Sequence, residues 1–294
     1  MNKSKDIILV TGATGNQGGA VARHLLKNGF AVKAITRKPD SEKARVLKAL
    51  GAEVVRADYD DPASLERALE GTWGVFSVQN TWEAGVIREE EQGKRFAELA
   101  RKKGVFHFVY SSVGSAHRDT GIPHFENKRR IEKTVLDLKF PSCTILRPVF
   151  FMENFLSPWF LPGLTEGKLQ IGIKPETRLQ MIAVDDIGKY GLRAFEQHAK
   201  MNGVELDMAG DARTMPETAA VLSRAMGRPV RFVETPKAEV RKSSEDYAIM
   251  LEWFDRVGYN ADIPALLSKY GIRPIALDEW AKQVDWGTVL KKAA

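Results

Sequence analysis

The sequence has one cysteine, Cys143, in 294 residues. No intrachain disulfide can form from it and no cysteine-based metal cluster can be built. It lies in the apolar run 143–146, which points to a buried, inert thiol. Histidine is also scarce: His24, His107, His117 and His198 make no metal-ligand spacing with acids or with one another, so no metal is expected. No apolar run approaches the length of a membrane span. Residues 1–5 lead straight into a short apolar run, unlike a signal peptide, and the expected location is cytoplasmic. The net charge is only +6, and the basic runs at 101–103 and 128–130 are short and free of aromatics. They read as solvated helix faces. Direct nucleic-acid binding is not expected, and the charge supports no more than a weak preference for phosphate-bearing ligands.

What the sequence does contain is a run of β-α alternation opened by a glycine turn. An apolar stretch, 7–10, ends in Thr11-Gly12-Ala13-Thr14-Gly15-Asn16-Gln17-Gly18, and a helical pattern follows. Gly12, Gly15 and Gly18 allow backbone positions and close approaches that a Cβ would block. The first free N–H groups of the helix then face an anion such as a pyrophosphate. Further strands are expected at 31–36, 53–57, 74–78 and 105–111, with helices at 41–50, 62–69 and 87–103 between them. A helix at 124–138 and a sixth strand at 142–146, stopped by Arg147-Pro148, follow. The fold class is α/β: a doubly wound parallel sheet of the Rossmann type with a smaller α+β C-terminal lobe. The expected division is a Rossmann domain over 1–150 and a substrate or partner lobe over 151–294, some of whose elements return to the first domain.

The end of the second strand carries the cofactor signal. A fold that prefers NAD usually places an acid there for the ribose 2′-hydroxyl, and this chain has Thr36-Arg37-Lys38. Arg37 and Lys38 suit a 2′-phosphate, so the expected cofactor is NADP(H). Asp58 and Tyr59 follow the third strand, where an adenine edge would pass, while Asp60 and Asp61 read as the structural start of the next helix. Gln79, Asn80 and Thr81 end the fourth strand and Ser111 and Ser112 the fifth; these serve equally as ribose ligands or as turn residues.

Thr11–Gly18, Thr36-Arg37, Ser77-Val78-Gln79-Asn80, His124-Phe125-Glu126-Asn127-Lys128 and Met152-Glu153-Asn154-Phe155 together resemble the NmrA-like family, atypical members of the short-chain dehydrogenase/reductase superfamily. Asp185-Asp186-Ile187-Gly188 and Leu277-Asp278-Glu279-Trp280 extend the resemblance through most of the chain. It implies NADP(H) held by the glycine turn and Arg37, with contacts from the residues around Asp58-Tyr59, Gln79–Thr81, Lys128, and Phe151-Met152-Glu153-Asn154. Active superfamily members carry Tyr-x-x-x-Lys, whose i, i+4 spacing puts both side chains on one helix face. Here Lys128 is kept and His124 stands at the tyrosine position. The resemblance makes Ser111 or Ser112 a candidate carbonyl-polarising donor. An imidazole, with an ordinary pKa of about 6.5, suits proton exchange near neutral pH. Equally, His124 reads as a packing residue at the helix start after Pro123.

Two functions therefore stand. One is an NADPH-dependent reductase of a small carbonyl, quinone or imine-like compound, with His124 or Lys128 as proton donor. The other is a non-catalytic NADPH/NADP sensor regulating a protein partner, with the loop 114–121 and the small lobe as its switch. The aromatic segment 150–160 reads as core with a subunit interface, as in a homodimer, or as an apolar substrate pocket. Glu153 and Asn154 within it fit cofactor or loop contacts better than a core.

Overall fold

The computed structural model describes residues 2–293. β1 (Ile7–Val10) leads through the glycine turn into α1 (Asn16–Lys27). The alternation continues through β2 (Val32–Thr36), α2 (Glu42–Ala49), β3 (Glu53–Arg56) and α3 (Pro62–Ala68). Local chemistry sets these boundaries. Ser41 accepts from the Ala44 amide to cap α2, and Asp61 accepts from the Ser64 amide to cap α3, which has proline in its first turn. β4 (Thr72–Ser77) precedes a short α4 (Thr81–Ala84) and the long α5 (Val86–Lys102), followed by β5 (His107–Ser111), α6 (Pro123–Asp137) and β6 (Ser142–Pro148).

Beyond β6 the elements are shorter. β7 (Phe150–Phe151), a 3₁₀ turn at Met152–Leu156, α7 (Leu161–Thr165), β8 (Lys168–Ile171) and β9 (Leu179–Ile182) lead to α8 (Val184–Glu196) and α9 (His198–Met201). β10 (Val204–Met208), β11 (Asp211–Arg213), α10 (Met215–Met226) and β12 (Arg231–Glu234) follow. The chain finishes in helices α11 (Lys237–Ser243), α12 (Glu245–Arg256), α13 (Ile263–Tyr270), α14 (Leu277–Gln283) and α15 (Trp286–Ala293).

The main sheet has seven strands in the order β10-β6-β5-β4-β1-β2-β3, and neighbouring strands from β6 to β3 pair in parallel. The strand order reverses between β1 and β4, so the glycine turn after β1 sits at the switch point where doubly wound sheets bind ligands. β5 and β6 are buried along their whole length, as strands covered by helices on both faces must be. On one face Leu9, Val75, Phe108 and Ile145 pack with Phe96 of α5 and Ile131 of α6.

The chain forms two compact units. The larger takes residues 1–117, 124–147 and 187–206; the smaller takes 118–123, 148–186 and 207–294. In the smaller unit β11-β9-β7 form one sheet and β12-β8 another. Phe150, Phe155 and Phe160 form a buried aromatic cluster there, the core reading of that segment, while Trp159 is 81% exposed.

Several expectations need correcting. Arg147-Pro148 does not stop β6, which runs through Pro148; pairing with β5 ends at Leu146, so the proline takes no ladder amide away on that side. Lys128 is not on a solvated face, because only 9% of it is exposed. In the loop 114–121, Gly114, Ser115 and Ala116 are buried, and within the smaller unit Arg118 donates to the Gly258 carbonyl at 3.1 Å.

Candidate cofactor-binding and active site

The glycine turn is built for close approach. Gly12 has φ +57°, and a Cβ there would stand 2.9 Å from Val78 Cγ1. A Cβ on Gly18 would stand 2.3 Å from the Thr11 carbonyl oxygen and 2.5 Å from that of Gly12, so only glycine lets α1 start this close to β1. Gly15 is the N-cap and offers no side-chain acceptor, and the first turn of α1 has no acid. The amides there and the helix dipole therefore favour an anion from outside the helix. Ala13 is buried beneath the turn, and Asn16 is exposed at its crest. Thr14 Oγ1 lies 3.5 Å from Thr36 Oγ1. Gln17 accepts from Ser111 Oγ at 2.6 Å, tying the turn to the end of β5.

Arg37 and Lys38 are exposed at the end of β2. Arg37 is ion-paired with Glu83 of α4. Asp58 Oδ1 accepts from the Asp60 amide at 3.0 Å, closing the turn after β3. Asp60 binds Arg88 and Gln92, and with Asp61 at the cap of α3 both acids are structural. The Tyr59 hydroxyl points inward, donating to the Val78 carbonyl at 3.0 Å and accepting from Gln79 Nε2 at 2.8 Å. Gln79 also donates to Ser77. Asn80 caps α4 by accepting from the Trp82 amide.

Thr81 donates to Glu89, and this buried carboxylate is the residue that sequence reasoning missed. Glu89 is fully buried; Oε1 accepts from Lys128 Nζ at 2.5 Å, and Oε2 from Asn127 Nδ2 at 2.8 Å and from Thr81. Burial alone would push its carboxyl up, but the Lys128 charge and the hydrogen bonds from Lys128, Thr81 and Asn127 hold it below the ordinary range. A usable signal existed. Gln92, Gly93, Phe96, Ala97 and Ala100 form the buried stripe of α5, and stepping back one turn lands on Glu89.

His124 is 6% exposed. Its ring lies 5.1 Å from that of Trp82 and meets Phe125 edge-on at 4.8 Å. Lys128 follows one turn later on the same face. Neither Tyr59 nor Tyr110 replaces the missing tyrosine of Tyr-x-x-x-Lys as an acid–base group. Burial lifts both phenols well above their ordinary range, and the Tyr110 hydroxyl has no hydrogen-bond partner among the described residues. Ser112 Oγ is likewise buried and unpartnered among them. Burial pushes the Cys143 thiol up to about 12, which leaves it inert.

In the smaller unit Phe151 is half-buried and Met152 buried. Glu153 accepts from the Val184 amide at 3.0 Å and from Trp280 Nε1 at 3.1 Å, so its carboxylate joins the start of α8 to α14. Burial raises its pKa. Asn154 is half-buried beside it. No cluster of three metal-ligating side chains exists among the described residues, and no helix among them is long and apolar enough to cross a membrane.

A parallel doubly wound sheet with a glycine turn at its switch point defines a Rossmann-type α/β protein. The NmrA-like family profile matches residues 4–286, and the chain belongs to that family. It is 33% identical over 252 residues to the NmrA-like family domain-containing oxidoreductase FrzB of Cladobotryum sp., covering 77% of this chain and 75% of FrzB. The structure of NmrA, a negative transcriptional regulator, in complex with NADP superposes with a TM-score of 0.82 at 21% identity, over 98% of both chains. An NADPH-dependent quinone oxidoreductase from Escherichia coli gives 0.76 at 26% identity, over 94% of this chain and 98% of that one.

Proposed function

We propose that this chain is an NADPH-dependent reductase of a small carbonyl, quinone or imine-like substrate. The observation that carries the reading is the buried Lys128–Glu89 pair one helical turn from His124, in the same unit as a glycine turn whose helix start suits an anion. The donor set suits a phosphorylated dinucleotide: bare amides at α1, a guanidinium at the end of β2, and an ammonium on α6. FrzB is named an oxidoreductase and the Escherichia coli neighbour an NADPH-dependent quinone oxidoreductase, which supports the same class.

In this reading Arg37 and Lys38 take the 2′-phosphate and Lys128 the nicotinamide ribose. Bound NADPH supplies the hydride. His124 delivers the proton to the substrate oxygen or nitrogen, with its ring packed between the tilted ring of Trp82 and the edge-on ring of Phe125. A redox-sensing role is the second reading, favoured by the absence of the usual tyrosine from position 124 and by the likeness to a transcriptional regulator.

The test is NADPH oxidation against a panel of quinones, aldehydes and imines. Turnover that falls at least about a hundredfold in His124→Ala and in Lys128→Ala supports the reductase. Tight NADPH binding without turnover across the panel would leave the sensor.

A further inference from the structure

We propose that Glu89 is the positioning residue for Lys128, holding its ammonium where it binds the ribose of the cofactor's nicotinamide half. The proposal rests on the reading of Lys128 as a cofactor ligand.

The pair is asymmetric. The Glu89 side chain is completely sealed, while 11% of the Lys128 side chain remains accessible. A pair serving stability alone has no need of a border position; here the carboxylate is inside and the ammonium reaches the edge. One N–H of the ammonium goes to Glu89 Oε1, which leaves two donors for a ligand with vicinal hydroxyls.

The carboxylate is itself held from several directions. Thr81 donates to it from the start of α4, and Asn127 from α6. Asn127 Nδ2 also donates to the Val86 carbonyl at 2.8 Å, locking α6 to the first turn of α5. One turn beyond Glu89, a Cβ on Gly93 would stand 2.6 Å from Ile131 Cδ1, so the glycine brings α6 close enough for Lys128 to reach its partner. A lysine stem loses substantial rotamer freedom when its head is fixed. Glu89 makes that loss part of folding, so it is not repeated when the cofactor binds. Without the carboxylate, the largely buried ammonium would lose its anchor and withdraw toward solvent.

The experiment is calorimetric titration of the full chain with two ligands: NADPH, and adenosine 2′,5′-bisphosphate, which lacks the nicotinamide half. Glu89→Gln should weaken NADPH at least about tenfold and leave the bisphosphate within about twofold. Lys128→Ala should show the same selectivity, and the double variant should be no worse than either alone. If Glu89→Gln does not fold, Glu89→Asp carries the same comparison, with a smaller loss confined to NADPH. Unchanged NADPH affinity in the Glu89 variants beside a loss in Lys128→Ala overturns the positioning role. So does equal weakening of both ligands, which is the signature of general damage. If Lys128→Ala leaves NADPH unchanged, the assignment of Lys128 fails first and takes the proposal with it.

Discussion

Arg37 and Glu83 are ion-paired on the surface of the larger unit, with 57% and 52% of their side chains exposed. An exposed pair of this kind contributes about 0–1 kcal/mol, whereas a guanidinium binds a phosphate through strong charge-assisted hydrogen bonds. A 2′-phosphate would displace Glu83 with little resistance, yet the carboxylate stays nearby as a rival. Arg37→Ala should weaken NADPH at least about tenfold while leaving NADH within about twofold, and Glu83→Gln should tighten NADPH by about two- to fivefold. Equal losses for both cofactors in Arg37→Ala, measured by titration, would remove Arg37 as the 2′-phosphate ligand.

Gly18 tests the turn itself. An added methyl meets backbone oxygens of Thr11 and Gly12, which cannot swing aside as a side chain can. Gly18→Ala should destabilise the protein by about 1–3 kcal/mol in denaturant titration and reduce NADPH binding beyond detection. A variant with wild-type stability and affinity would mean that α1 does not need its close start.

His107 predicts an acid-sensitive fold. The ring is fully buried, with Nδ1 2.8 Å from Ser142 Oγ. Burial and the nearby His198 hold its pKa down to about 4. The unfolded chain binds a proton at about pH 6.5 and the folded ring does not. Stability contributed by the neutral ring is therefore present above about pH 6.5 and is lost as pH falls from there to about 4, by about 3 kcal/mol in all. Substituting His107→Gln should flatten the denaturation midpoint against pH across that window. A slope equal to that of the parent protein would assign the acid sensitivity to other groups.

Much of the larger unit was legible because its periodicities are unambiguous: β1 to β5 with α1, α2, α3 and α5 follow from apolar runs, caps and glycine stops, while the short α4 falls where turn residues were expected. Pro148 misled because a proline ends a strand only where its missing amide is needed. Glu89 was hidden in the charged run Arg88-Glu89-Glu90-Glu91, whose members look alike until the helix is wound and one of them turns inward. Lys128 was read as part of a basic surface run for the same reason. Its partner lies 39 residues earlier, a distance at which local pattern says nothing. Tyr59 shows the converse. It follows β3 as expected, but its hydroxyl is turned to Val78 and Gln79 within the unit.

The larger unit is not contiguous in the chain. Its last piece, residues 187–206, brings Gly188 and Gly191 of α8 against α1, where added Cβ atoms would lie 2.5 Å from His24 Cδ2 and Val21 Cγ2. The same piece sets Phe195 edge-on to His107 and supplies most of β10 beside β6. During translation, the first 147 residues therefore leave the ribosome with one face of α1 bare and β6 as an open edge. The segment 148–186 must be made before its cover arrives, a wait of roughly 2–8 s at about 5–20 residues per second. Over that interval the nascent chain presents an unpaired strand to its neighbours, and a gene fragment ending near residue 150 would leave it so permanently.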